Sequence, residues 1–240
     1  MGLTRTINGA AEMFLGSRLT QGTKLETPTT LAEANNTGYY FDYMDGWYDN
    51  YSGGVNANSY SWMFKRAKGF FDVVAYTGTG VAHTEAHNLG VAPEMMWVKS
   101  RDHTHSWQSY HSALGNTGSI YMNSNEAAFS ISGTTVWNNT TPTSSVFTVG
   151  STLPLNHTGK KFIAYLFATL AGVSKVGSYT GNGSSQNIAC GFSAGARFVL
   201  IKRTDATGDW YIWDTERGIV TGNDSHLSLN TTAAEVTSDD

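Results

Sequence analysis

Apolar residues in this chain come in short runs closed by polar or charged ones. Examples are Met95-Met96-Trp97-Val98-Lys99, Arg197-Phe198-Val199-Leu200-Ile201-Lys202, Asp209-Trp210-Tyr211-Ile212-Trp213-Asp214, Ser145-Val146-Phe147-Thr148-Val149 and Phe162 through Phe167. Each is too short for a stable helix and rich in β-branched and aromatic side chains, which suit a pleated, half-buried surface. Turn-rich stretches separate them at intervals of roughly 8–20 residues, and that spacing predicts an all-β chain of sandwich or barrel type. Phe162 through Phe167 is apolar at successive positions, as expected of a central strand covered on both faces. Thr77-Gly78-Thr79-Gly80 and Thr180-Gly181-Asn182-Gly183 supply glycines for turns. Helical spacing is weak throughout; Leu31 through Asn36 is the stretch that could form a single helical turn.

A long internal repeat lies over this pattern. Phe70 through Gly80 recurs as Val173 through Gly183, an offset of 103 that pairs Tyr76 with Tyr179. The same ungapped offset pairs Phe64 with Phe167, Gly69 with Gly172, Lys99 with Lys202, Asp102 with Asp205, Trp107 with Trp210 and Gly115 with Gly218. Beyond Gly115 the register slips by four, so that Tyr121-Met122-Asn123-Ser124 meets Ser228-Leu229-Asn230-Thr231. Upstream, Tyr39 through Tyr43 can be laid on Ser145 through Val149. The chain thus reads as the back half of one module (1–69), a complete β-sandwich-like module (70–172) and the front half of a further module (173–240). The period exceeds that of a solenoid repeat and predicts tandem domains, each with its own core.

Composition narrows the function classes. Thr, Ser, Asn and Gly make up 96 of the 240 residues, and charged residues only 14%. The polar surface is therefore built mainly from hydroxyls and amides, which disfavours long surface helices. The net charge of −4, with no basic cluster, argues against a nucleic-acid partner. The longest apolar run, Phe162 through Ala168, falls well short of the roughly 20 residues that span a bilayer, so no membrane insertion is expected. No basic start followed by an apolar stretch marks a secretory signal. A lone cysteine, Cys190, excludes an intrachain disulfide and reads as a small buried thiol.

Tyr76-Thr77-Gly78, Asn88-Leu89-Gly90-Val91-Ala92-Pro93, Trp107 with Tyr110-His111-Ser112, Thr141 through Gly150 and Leu200 through Asp205 together resemble one known family. It comprises repeated β-rich domains in predicted tail-fibre and other virion proteins of tailed bacteriophages, especially marine ones. The resemblance covers roughly residues 60–240. It implies a virion structural part, with host-surface binding as the usual role, and it brings no catalytic motif.

Three sets of residues are candidates for chemistry. Tyr39 through Tyr51 concentrates aromatic rings among carboxylates and amides. Within it Tyr43, Trp47, Tyr48 and Tyr51, with Asp45 and Asp49, could stack on the C–H faces of sugars and accept their hydroxyls, or equally fill a core or subunit interface. His103-Thr104-His105 would put two imidazoles on one face of an extended segment, a spacing that metal sites use, although solvated loop histidines are the plainer reading and no metal is expected. The shared Tyr76/Tyr179, Lys99/Lys202 and Trp107/Trp210 read as framework, the Trp pair packing a core or closing a turn and each Lys bridging to Asp102 or Asp205 across a loop.

No nucleophile elbow, phosphate-cradling loop or zinc motif is present in the sequence, so no enzyme and no cofactor is expected. The expectation is a bacteriophage virion structural protein of tail-fibre or adhesin type, located on the tail or capsid surface. Its partners would be other virion proteins and a host-surface glycan or protein. Half modules at the two ends would leave strand edges open, which predicts a homo-oligomer, a trimer in a fibre. Two alternatives are a capsid decoration protein and a fibre-borne glycan depolymerase.

Overall fold

The computed structural model describes residues 1–240 apart from 8–9, 37, 42–45, 50–58, 131–135, 220–222 and 238–240. Strands dominate, and among the described residues every strand pair is antiparallel. β1 (Gly2–Thr6), β2 (Phe14–Gly16), β3 (Thr23–Glu26) and β4 (Ala34–Asn35) form a meander. β5 (Tyr39–Tyr40) and β6 (Tyr48–Asp49) pair with each other, and β7 (Ser59–Met63) returns to flank β1, giving the order β4-β3-β2-β1-β7. The middle of the chain contributes β8 (Phe71–Thr77), β9 (His83–Ala86), β10 (Met95–Ser100), β11 (Gln108–His111), β12 (Gly118–Tyr121), β13 (Phe129–Ser130), β14 (Val146–Val149) and β15 (Lys161–Phe167). They form a sheet ordered β13-β12-β11-β10-β15-β8 and a separate β14-β9 pair. β16 (Phe198–Lys202), β17 (Trp210–Asp214) and β18 (Leu227–Ser228) make the last sheet. Helix is confined to a 3-10 turn at Ser112–Leu114 and the short α1 (Leu153–Asn156).

β15 lies between β10 and β8, with Trp97 opposite Tyr165 and Val73 opposite Tyr165 on the other side. Its side chains divide by the period of two that a strand imposes. Ile163, Tyr165 and Phe167 enter one core, while Phe162, Ala164 and Leu166 enter another with Tyr76, Leu89, Trp137, Phe147, Val149 and Leu155. The expected helical turn at Leu31 through Asn36 is replaced by β4, where Ala34 pairs with Lys24 and Asn35 with Thr23. Glu33 holds the segment extended: its amide donates to Arg101 O (2.7 Å), and its carboxylate takes the Arg101 guanidinium (2.7 Å).

The sequence pattern predicts one core per module, but the burial is shared. The first core combines Leu3, Met13, Leu15 and Leu25 from the first sheet with Trp97, Trp107, Ile120 and Met122 from the second and Trp210, Ile212, Leu227 and Leu229 from the third. A second difference concerns residues 173–197. Gly69 and Gly172 both adopt positive φ (74° and 73°), and the Ala67–Phe71 bridge has a counterpart in Leu170–Ser174. After that common turn β8 forms beside β15, whereas no strand is assigned in 173–197. Tyr76 is buried, its hydroxyl donating to Leu155 O at 2.8 Å, while Tyr179 is 49% exposed. A strand-forming sequence with no neighbour to complete its hydrogen bonds is not held as a strand. Cys190 lies in this stretch and is half-buried rather than enclosed.

Candidate functional site

Lys99 is fully buried at the end of β10, where its ammonium donates to Thr30 O (3.2 Å) and Ser100 O (3.1 Å), and burial pushes its pKa down to about 8. Lys202, half-buried at the end of β16, donates to Gly208 O (2.8 Å), Arg203 O (2.9 Å) and Asn125 O (3.3 Å). The expected bridges to Asp102 and Asp205 do not form. Asp102 instead accepts the Lys161 amide (3.0 Å), and Asp205 pairs with Arg203 (2.8 Å). In both cases backbone carbonyls around the strand end, not a carboxylate, take the ammonium protons.

The two tryptophans share their bonding. Trp107 N–H donates to Asn123 Oδ1 and Trp210 N–H to Asn230 Oδ1, both at 2.8 Å. The indole N–H groups donate to Glu26 O and Tyr121 O, both at 3.0 Å. Arg5 escaped the sequence reading. It sits opposite Tyr60 on β7 as Lys99 sits opposite Ile163 on β15, and its guanidinium reaches Ser228 O (2.7 Å), Thr231 O (3.1 Å) and Ala233 O.

Of the aromatic stretch, Tyr43, Asp45 and Tyr51 lie outside the described residues. Trp47 is half-buried and stacks on Phe41 (centroids 6.1 Å apart), which is itself packed against Gly2 and Gly16. Tyr48 stacks on Tyr40 at 6.4 Å and is 47% exposed. Asp49 ends β6, opposite Tyr39. Trp47 is therefore tied to the first sheet, and Tyr48 is the more exposed of the two rings.

The structure adds His157 to the pair His103 and His105. One ring nitrogen from each of the three lies within 4.8 Å of the others. Ring centroids are separated by 4.7 Å (His103–His105), 4.8 Å (His103–His157) and 6.3 Å (His105–His157). The side chains are half-buried. His105 is placed by its amide, which donates to Thr30 O at 3.0 Å. His157 follows buried Asn156, whose side-chain amide donates to Gly150 O (2.6 Å) and Val81 O (2.7 Å) and whose oxygen accepts from Thr79 N–H (2.6 Å). Burial, reinforced by His103, His157 and Lys99, holds the His105 pKa below its ordinary value. No local spacing links His157 to His105, since the two meet only because β10 and β15 are neighbours.

An open polar basin of about 490 Å³ lies where the second and third sheets meet, lined by Tyr121, Asn123, Glu126, Asp209 and Asn230 among others. Asn123 and Asn230 face it with their oxygens already committed to the two Trp amides.

A family described as a domain of unknown function, DUF7483, matches residues 2–240. No curated protein and no solved structure matches the chain.

Proposed function

The chain belongs to the DUF7483 family over residues 2–240, and we propose that it is a non-enzymatic virion structural protein of a tailed bacteriophage, of tail-fibre or adhesin type. The observation that carries this reading is the joint between successive sheets, which recurs bond for bond. His105 N–H donates to Thr30 O as Gly208 N–H donates to Asn125 O, at 3.0 and 2.8 Å. Glu33 N–H donates to Arg101 O as Ala128 N–H donates to Thr204 O, at 2.7 and 2.9 Å. The Trp107 and Trp210 indoles repeat a third contact, and Lys99 and Lys202 a fourth. Ala11 N–H donating to Thr232 O (3.0 Å), with Arg5 on Ser228, Thr231 and Ala233, then returns the series to its start.

In this reading the 103-residue repeat is structural. The three sheets then contribute corresponding hairpins to one shared core. Self-association, to a homotrimer in a fibre, runs through the outer edges of β7 and β16, the end strands of their sheets. Edges of this kind pair with strands of a second copy or of another virion protein. Attachment falls to Tyr48 and the rings around it, and the Ser/Thr/Asn/Gly surface suits a part that works outside the cell.

Mass spectrometry and antibody-gold electron microscopy of purified particles test this reading. Labelled tails support it; protein found only in the soluble fraction of lysed cells sinks it, and labelled capsids transfer it to a decoration role. Light scattering of the purified chain at micromolar concentration should give a species above the monomer mass, reduced by Met63→Lys at the edge of β7. A monomer at all concentrations removes the self-association. Tyr48→Ala should reduce adsorption to host cells while leaving thermal unfolding unchanged.

A further inference from the structure

We propose that His103, His105 and His157 bind one divalent transition-metal ion of the zinc class, which ties the loop after β10 to the segment before β15. Three imidazoles with one nitrogen each inside a 4.8 Å span form a set of three metal-ligating side chains close enough to hold an ion. Tetrahedral zinc, with bonds of about 2.0–2.1 Å, holds its nitrogens roughly 3.4 Å apart. His105 and His157 stand on hydrogen-bonded backbone, so that the difference is left to side-chain rotation and to the loop at His103.

The second observation concerns unmet hydrogen bonding. His105 Nε2 and His157 Nδ1 are both shielded from solvent and, among the described residues, neither has a hydrogen-bond partner. Buried polar nitrogens are nearly always satisfied, and an exception inside a cluster of like ligands points to an ion or ordered solvent as the partner. His103 Nδ1 accepts the Thr104 amide at 2.9 Å, a bond between neighbours in sequence that metal ligation through this ring displaces.

The chemistry of the donors selects the metal. Neutral imidazole suits zinc, nickel and copper, whereas magnesium and calcium want oxygen. Lys99 is the nearby cation that opposes a further charge, and its ammonium is turned to the Thr30 and Ser100 carbonyls. Three protein ligands leave a fourth position for water. The site also differs between units: Ala206 and Gly208 occupy the offset positions of His103 and His105. These histidines are therefore not needed for the fold itself.

The full chain, purified without a histidine tag and stripped with chelator, is titrated with Zn²⁺ by calorimetry and with Co²⁺ by visible absorption. The expected result is one saturable equivalent per chain, a four-coordinate Co²⁺ spectrum and a raised thermal midpoint that chelator reverses. Since loss of a mere outer-shell partner weakens a metal site by about 10–100-fold, His157→Ala and His103→Ala, each removing a direct ligand, should weaken Zn²⁺ binding at least about 100-fold. His111→Ala, outside the cluster, should leave it unchanged. His103 lies in a loop and makes only the Thr104 bond, so its variant keeps the test open should His157→Ala misfold. Absence of saturable uptake, or equal affinity in the wild type and the folded His103→Ala chain, overturns the proposal.

Discussion

Gly78 and Gly181 occupy the same place in the repeat, yet a side chain would meet different surroundings at each. A Cβ on Gly78 would stand 2.3 Å from His157 O and 2.8 Å from Asn156 C, whereas one on Gly181 would meet nothing within 4 Å. Backbone cannot yield as a side-chain tip can, so Gly78→Ala should destabilise the chain by about 1–3 kcal/mol, the cost of overpacking. Gly181→Ala should be close to neutral in the same thermal or urea unfolding experiment. His87 offers a pH-dependent test. Its Nδ1 accepts Leu89 N–H and its Nε2 donates to Thr143 O, both at 3.2 Å, so the neutral ring is fully engaged. Burial holds its pKa below the ordinary value, against the pull of the Thr143 carbonyl and of Asp72. A depressed histidine pKa means that the unfolded chain binds the proton more tightly. The contribution of His87 is thus whole above about pH 6.5 and is lost as pH falls through the folded value. The stability difference between wild type and His87→Asn, measured by urea unfolding, should shrink from pH 7 to pH 5. A difference that stays constant counts against this account.

Strands and turns set the next scale. Asn123, just beyond β12, and Asn230, just beyond β18, each close their hairpin onto the Trp amide where β11 or β17 begins. Removing either acceptor leaves a shielded N–H unmet, so Asn123→Ala and Asn230→Ala should each cost about 1–3 kcal/mol in denaturant unfolding. Similar penalties at the two sites would favour equivalent roles; a negligible penalty at Asn230 would not. Much of this scale was legible in the sequence. The runs at 95–99, 162–167, 197–202 and 209–214 became β10, β15, β16 and β17 because period-two burial leaves its mark on residue choice. Residues 173–180 did not follow their counterpart, since a strand needs a partner and sequence reports only its own half of the pairing. The short β4 at Ala34–Asn35 had no apolar signature, as both residues are exposed. His157 stayed hidden for a related reason: β-neighbour geometry, not spacing, brings it to His105.

At the level of the whole molecule, Arg5 completes the series of joints. With its guanidinium on Ser228, Thr231 and Ala233, it holds the last described segment against β1. Arg5→Met should speed amide exchange across 226–236 by mass spectrometry while leaving β8 and β15 protected. Uniform acceleration throughout the chain would mean that Arg5 supports the global fold and not this joint. The repeat suggested separate modules, but it could not reveal that Leu3, Trp97 and Trp210 converge, because burial between distant hairpins is invisible to a one-dimensional pattern. That convergence has a consequence for how such a gene can change. A cut at residue 70 or 172 would strand Trp107, Ile163 and Tyr165 on an open flank, so neither fragment would be viable alone. Exchange of genetic material can therefore vary the loops freely, but it must inherit the three hairpins together as one indivisible cassette.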